Sequence, residues 1–367
     1  MALGSSGALL GAADGALAAL AALPTSAVAT GKPGTGCVTE CRPRIGIVSA
    51  FGAEADLLVA QTTGRTRYVI NGNAFTTGML RGNRVVIVLS GVSMINSAMV
   101  TQQMLNHFRV ERLVMSGIAG GLNPALNVGD VTVPDRWIMP MEVYWSHNSE
   151  PPKPCGEALG DASCLGLKFA MTKDASGKVT PQPPPFELTT PNGLVPTGLF
   201  MRENFVMTAK NSPKGEYVFA YPVDAAMLAV ARGLNPKLSQ CGGAPAAPPD
   251  PKRCMKHTPK MVVGGAGVSG TAFLANADYR KYLFESLEAN TFEMETAALA
   301  HVAYANAVPY IAFRSLSDLA GGEEFNADVA ALFTSGLAET NEAAVTLAFL
   351  EAWKTQQTTK AAAKVKP

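Results

Sequence analysis

The sequence predicts an α/β fold, a single three-layer domain with a central mixed sheet flanked by helices. Three observations carry this. Short runs rich in Val, Ile and Leu recur at strand length, bounded by Gly and Pro. Segments with apolar residues at helical spacing stand between them. One hairpin signal, Asn71-Gly72, adds an antiparallel pair to strands that are otherwise connected through helices, so the sheet is expected to be mixed and covered.

Taken in order, Arg44–Ala50 (RIGIVSA) is a β-branched apolar run between Pro43 and Gly52 and reads as a buried strand. Tyr68–Ile70 and Ala74–Leu80 flank Asn71-Gly72 as a hairpin, and Arg84–Leu89 (RVVIVL) is another buried strand. Ile95–His107 carries helical spacing. Leu113–Ser116 is a strand leading into a Gly-rich turn, and Gly129–Pro134 returns as a strand. From about residue 146 to 259 the pattern breaks into a Pro-, Gly-, Lys- and Cys-rich insertion with one helical piece, Asp224–Leu234. Within it, Trp145 and Tyr221 are expected to shape a pocket mouth. The α/β pattern resumes at Lys260–Gly265, continues through a helix at Met294–Asn306 and the strand Pro309–Arg314, and closes with an amphipathic helix over Ala330–Trp353. The domain is thus expected to run from residue 30 to 355, with 356–367 as a frayed tail.

The first 29 residues stand apart. Residues 8–23 are almost entirely Ala, Leu and Gly, and Ala27-Val28-Ala29 makes a small-x-small pattern before a polar stretch. That reads as a secretory signal cleaved after Ala29, although Met1–Leu10 has no Lys or Arg and Asp14 interrupts the run; the other reading is an Ala-rich leader. Six cysteines in loops agree with export, and the chain-local pairs Cys37–Cys41, Cys155–Cys164 and Cys241–Cys254 are the simplest disulfides. A zinc site is the weaker reading, because Cys155 and Cys164 lack CxxC spacing and His257 is the one imidazole near. No metal and no cofactor are expected. The net charge of +1 speaks against nucleic acid or an anionic membrane as a partner, and no other run is long enough to cross a bilayer. The expected location is secreted or vacuolar.

Chemistry gathers at three strand ends. Glu54 follows the first strand; Glu293-Met294-Glu295 opens a helix; Arg314-Ser315-Leu316-Ser317-Asp318 follows PYIAF. Ligands of open α/β sheets bind at the carboxyl ends of strands, and carboxylates converging there with one Arg are costly without a substrate or a mutual network. Each has a plainer reading: Glu54, Glu293 and Glu295 as first-turn acids of helices, Arg314 and Asp318 as a structural ion pair. The run Ser116-Gly117-Ile118-Ala119-Gly120-Gly121 either brings backbone N–H groups to a ligand or makes a tight turn.

Five pieces in this order, IGIVSAFGAEADLL (45–58), SGIAGGLNPALNVGDVTVPD (116–135), VSGTAFL (268–274), FEMETAALAH (292–301) and VPYIAFRSLSDLAGG (308–322), resemble the 5′-methylthioadenosine/S-adenosylhomocysteine nucleosidases of the nucleoside phosphorylase superfamily. The resemblance covers about two thirds of the chain, all but leader, insertion and tail. The leader, GIAG, the Cys-containing insertion and SLSDLAGG resemble most closely the plant bark-storage-protein-like group. The resemblance implies cleavage of the N-glycosidic bond of a purine nucleoside and a homo-oligomer of two or more subunits. It implies Asp318 as the acid at N7 of the base, Glu295 as the residue gripping the ribose hydroxyls, Met294 beneath the ribose, and Glu54 with Arg314 as the pair that positions water. Phe273 and the backbone of Leu274 would meet the base; Ile118, Ala119, Gly120, Glu293 and Ser317 complete the substrate-binding set. Where phosphorylases carry GDPxR this chain has FGAEAD, and Glu54 would repel phosphate; hydrolysis is therefore expected before phosphorolysis. Ile118 stands where the nucleosidases usually have Ser. That departure keeps a third reading open, a storage or binding protein with little activity.

Overall fold

The computed structural model describes residues 37–39, 41–146, 166–167, 171–173, 175–176, 179–181, 187–242, 254–321 and 336–365. The strands are β1 (Arg44–Ser49), β2 (Thr63–Ile70), β3 (Asn73–Leu80), β4 (Asn83–Leu89), β5 (Val110–Gly121), β6 (Val131–Val133), β7 (Arg136–Ile138) and β8 (Val143–Trp145). Then come the short β9 (Met171–Lys173), β10 (Val179–Pro181), β11 (Glu187–Thr190), β12 (Gly193–Pro196), β13 (Leu199–Met201), β14 (Asn204–Val206), β15 (Glu216–Val218) and β16 (Ala220–Pro222). Last are β17 (Met261–Val263), β18 (Ala266–Ser269), β19 (Ala289–Glu293) and β20 (Tyr310–Asp318). The helices are α1 (Gly52–Gln61), α2 (Met94–His107), α3 (Ala225–Arg232), α4 (Ala277–Leu287), α5 (Thr296–Ala305) and α6 (Leu337–Val365).

Twelve strands form one mixed sheet. β1 lies parallel between β4 and β5, with Ile47 opposite Ile87 on one side and Val114 on the other. β5 runs parallel to β20 along most of its length and antiparallel to β19 at its end. β2, β3 and β4 extend the sheet antiparallel, turning at Asn71 and Gly72, both at positive φ as a two-residue hairpin of this twist requires. The mixed three-layer α/β class read from the sequence is thus the observed one. Its main core is buried on both faces, with Ile47, Val86, Val114, Phe313 and Phe349 almost without exposure. α6 closes one face by packing Phe349 against Phe313 of β20, ring centroids 5.1 Å apart, and Trp353 of the same helix stacks on Phe349 at 5.8 Å.

Several readings are corrected. The Gly-rich segment is not a turn: β5 continues as strand through Gly121. α5 begins at Thr296, two residues later than the helical spacing implied, because Glu293 and Glu295 turn inward before it. α6 continues through Val365, so the segment after Trp353 is helical rather than frayed. The insertion joins the main sheet at its edge, where its β16 pairs with β7. Tyr221 is fully buried there, its hydroxyl bonded to Asn204 and His301, and takes no part in a pocket mouth; Trp145 is exposed. Cys37–Cys41 and Cys241–Cys254 are disulfides. Cys155–Cys164 and the leader lie outside the described residues. Among the described residues no helix is long and apolar enough to cross a membrane.

Candidate active site

Arg314 sits in the middle of β20, paired in register with Gly117 of β5 and fully buried. A side chain at Gly117 would overlap both the Arg314 guanidinium and the Glu54 carboxylate, so glycine is required there by close approach rather than by a turn. Around this guanidinium stand three carboxyl groups. Nη1 lies 3.6 Å from Glu54 Oε1, and Nη2 lies 3.5 Å from Glu295 Oε2 and in direct contact with Glu293 Oε2. The remaining donors are used as well: Nη1 donates to Ile118 O at 3.2 Å, and Nε and Nη2 donate to the Thr296 hydroxyl at 3.1 and 2.9 Å.

Glu54 is the third residue of α1, and its carboxylate accepts from the N–H groups of Ala50 (2.6 Å), Phe51 (3.2 Å) and Ile118 (2.8 Å). The first-turn position expected of it is thus observed, and its carboxylate also reaches across to β5 at Ile118. Burial pushes its carboxyl up, against Arg314 and the backbone donors. Glu293 spends its acceptors within the protein, on the Ser269 hydroxyl, Arg314, and the N–H groups of Glu295 (3.0 Å) and Thr296 (2.9 Å). It caps α5 and anchors Arg314. Glu295 accepts from Ser93 N–H at 2.9 Å, and its carbonyl accepts from the Ser97 hydroxyl at 3.0 Å. Burial and the neighbouring Glu293 push its carboxyl up to about 8. Burial works against the charge on Arg314, but the surrounding carboxylates outweigh it and hold the guanidinium charged.

Asp318 lies elsewhere. The β5–β20 register shifts between Leu316 and Asp318, a bulge that re-aims the side chain. Its carboxyl accepts from the Ser317 hydroxyl (2.9 Å) and from Ala320 N–H (2.8 Å), and burial raises it above the ordinary aspartate range. Gly120 leaves the space beside it, since a Cβ there would come within 2.9 Å of Asp318 Oδ1. The plainer alternative, an Arg314–Asp318 ion pair, does not form; Arg314 pairs with the three glutamates. The segment carrying Phe273 and Leu274 abuts this end through Asn276 N–H on Ala320 O at 3.2 Å. Phe273 is 64% exposed and Leu274 packs partly buried against a second core cluster of Val268, Leu283 and Phe292. Met294 is half-buried between the two glutamates, and Ile118 and Ala119 are buried.

Sequence reasoning missed Ser93, Ser97, Ser269 and Thr296, which hold the glutamates, and two buried acids of α6. Glu342 has no exposure and is bonded to the Ser116 hydroxyl; Glu339 is 8% exposed. Burial raises both, Glu339 to about 7 and Glu342 well above the carboxylate range. Neither is marked in the sequence, since the first turns of α6 also carry Thr340 and Asn341. Among the described residues no cluster of His, Cys, Asp and Glu has the arrangement of a metal site.

The sequence profile of the Phosphorylase superfamily matches residues 44–351. The chain is similar to the 5′-methylthioadenosine/S-adenosylhomocysteine nucleosidase of Staphylococcus aureus (strain MRSA252), with 25% identity over 280 residues that cover 76% of this chain and 88% of the relative. In fold it is similar to the nucleosidase of that name from S. pneumoniae, solved with the transition-state inhibitor MT-ImmA, at TM-score 0.54 and 21% identity over 84% of this chain and 99% of that one. It is also similar in fold to futalosine hydrolase of Helicobacter pylori strain 26695, at TM-score 0.52 and 17% identity over 86% of this chain and 98% of that one.

Proposed function

The chain belongs to the phosphorylase superfamily, and on that premise we propose that it hydrolyses the N-glycosidic bond of purine nucleosides, releasing free base and a ribose that is free or 5′-modified. The observation that carries this reading is the carboxylate of Glu54, held by three backbone donors beside the one buried guanidinium of the site. A phosphate nucleophile wants free Arg donors. Here the Arg314 donors are already on Glu293, Thr296 and the Ile118 carbonyl, and Glu54 adds repulsion. Water needs the opposite, a fixed acceptor for its proton.

In the proposed reaction the C1′–N9 bond breaks with its electron pair leaving on the base. Asp318, whose neutral form burial favours, donates to or shares its proton with N7, so the base departs neutral. Positive charge grows on the sugar against a cluster of three carboxyls and one guanidinium, Glu54, Glu293, Glu295 and Arg314, whose fixed placement supplies the main electrostatic stabilisation. Water adds to C1′ and gives its proton to Glu54. Glu295 holds the ribose hydroxyls, Met294 lies beneath the ring, Ser317 orients Asp318, and Phe273 and Leu274 meet the base, beside the strand Ile118-Ala119-Gly120.

The test is base release from adenosine, inosine, methylthioadenosine and cytokinin ribosides, in plain buffer and in phosphate. Release independent of phosphate is expected; release only with phosphate would favour phosphorolysis. Ile118 supports the third reading, a storage or binding protein of the bark-storage-like kind, and tight adenine binding with negligible release would favour it. Export with a cleaved leader and a homo-oligomeric state belong to the same proposal. Val92, Ile95 and Met99 at and near the start of α2 offer exposed apolar surface for self-association. Mass measurement of the mature protein by light scattering and mass spectrometry tests both.

A further inference from the structure

The turn before α2 holds a residue in a conformation that side chains rarely adopt. Ser93 has φ 108° and ψ 153°, a region populated essentially by glycine. Such backbone persists only where its surroundings over-determine it. Upstream, Ser90 N–H donates to Ser49 O at 2.8 Å and Gly91 N–H to Ala50 O at 3.0 Å, which ties the turn to the loop leading into Glu54. Downstream, Asn96 Nδ2 donates to Val92 O at 2.7 Å and Ser97 N–H to Ser93 O at 3.0 Å, while the Ser97 hydroxyl holds the Glu295 carbonyl. Ser93 N–H itself donates to Glu295 Oε1 at 2.9 Å. The strained peptide therefore stands between the Glu54 loop and Glu295, at the carboxyl end of β4, where ligands of such sheets bind.

Glycine would serve this backbone without strain. A side chain is carried here at a cost, and the fold does not use it. As N-cap of α2, a serine would ordinarily accept from the first free N–H groups of the helix, yet Ser93 makes no cap bond. Its hydroxyl has no hydrogen-bond partner among the described residues, and the residue is half-buried. We infer that Ser93 is a specificity-determining residue of this site, whose hydroxyl takes a hydroxyl of the sugar beside Glu295 and so selects ribosides over deoxyribosides. The inference rests on the nucleoside-cleavage reading.

Two variants separate the hydroxyl from the strain. Ser93→Ala removes the hydroxyl and keeps the strain; Ser93→Gly removes both. kcat/KM and calorimetric affinity are measured with adenosine, 2′-deoxyadenosine and 3′-deoxyadenosine, together with the melting temperature. Both variants should lose about tenfold on adenosine, the upper end for one hydrogen bond, and nothing on the deoxynucleoside that lacks the contacted hydroxyl. Ser93→Gly alone should melt higher. If both variants keep the wild-type preference between riboside and deoxyriboside while still cleaving or binding, the inference is overturned and the functional reading stands. Wild-type protein that neither binds nor cleaves any of the three would overturn both.

Discussion

The two ends of the site are built in opposite ways. At the Arg314 end, three carboxyls and one guanidinium are buried together, and all three nitrogens of the guanidinium have partners. At the Asp318 end a single carboxyl has two partners, and the nearby segment leaves Phe273 exposed. The first arrangement fixes charge in advance, which suits a short-lived cation on a sugar. The second leaves a single carboxyl whose neutral form burial favours, the property that the proposed acid at the base requires. Placing both on one strand, β20, couples them through a rigid element while keeping their chemistry separate.

Removing the hub should have the largest effect. Arg314→Leu leaves three buried carboxyls without their cation and should cost about 3–5 kcal/mol of stability, the range for breaking a buried ion pair by losing one partner. Urea denaturation measures it; a loss under about 1 kcal/mol would mean that the network is dispensable. At the other end the expectation reverses. Asp318→Asn should fold at least as stably as the wild type, because burial penalises the ionised form of the acid it replaces, while base release falls at least ~10²-fold. Normal turnover in a folded Asp318→Asn protein would remove Asp318 from the chemistry.

The pH dependence of stability sharpens the contrast. Glu295 is raised to about 8 and Glu339 to about 7 from an ordinary 4.5. Between those values the folded protein binds more protons than the unfolded one, so their contribution is full below pH 4.5 and is lost as pH rises through about 7 and 8. Denaturation at a series of pH values should show stability falling across this window, with a shallower fall in Glu295→Gln. A slope identical in that variant would remove Glu295 as its source. The smallest effect in acid is expected for Glu342→Gln, which exchanges a buried acid for a neutral amide; it should match wild type below about pH 4.5 and exceed it increasingly at higher pH, where the unfolded wild-type acid ionises first.

Much of this was legible in the sequence, for physical reasons that differ by residue. The strands β1, β4 and β20 announce themselves because a doubly covered strand must be apolar along its length. Asn71-Gly72 announces the hairpin because few residues accept positive φ twice. Glu54, Glu293, Glu295 and Arg314 stood out as charges where apolar strands end. Gly117 was misread because a glycine needed for room looks like a glycine needed for a turn. The plainer alternative of an Arg314–Asp318 ion pair fails because a spacing of four brings side chains together on a helix but spans about 13 Å along a strand. The strain at Ser93 leaves no trace in composition or spacing. Glu339 and Glu342 were passed over, and the packing of α6 against β5, β20 and α1 buries them.

The central claim is that Glu54 makes this a hydrolase, and the sugar product tests it most directly. Wild-type protein and Glu54→Gln are incubated with the best-cleaved riboside in phosphate buffer, and free ribose and ribose 1-phosphate are separated and counted. The wild type should yield free ribose alone. Glu54→Gln should lose nearly all of that product while still binding a base analogue, since Phe273, Leu274 and Asp318 are untouched, and any phosphorolysis should persist or rise once the repelling charge is gone. Wild-type protein that yields mainly ribose 1-phosphate, and loses it on Glu54→Gln, would contradict the account and make the protein a phosphorylase.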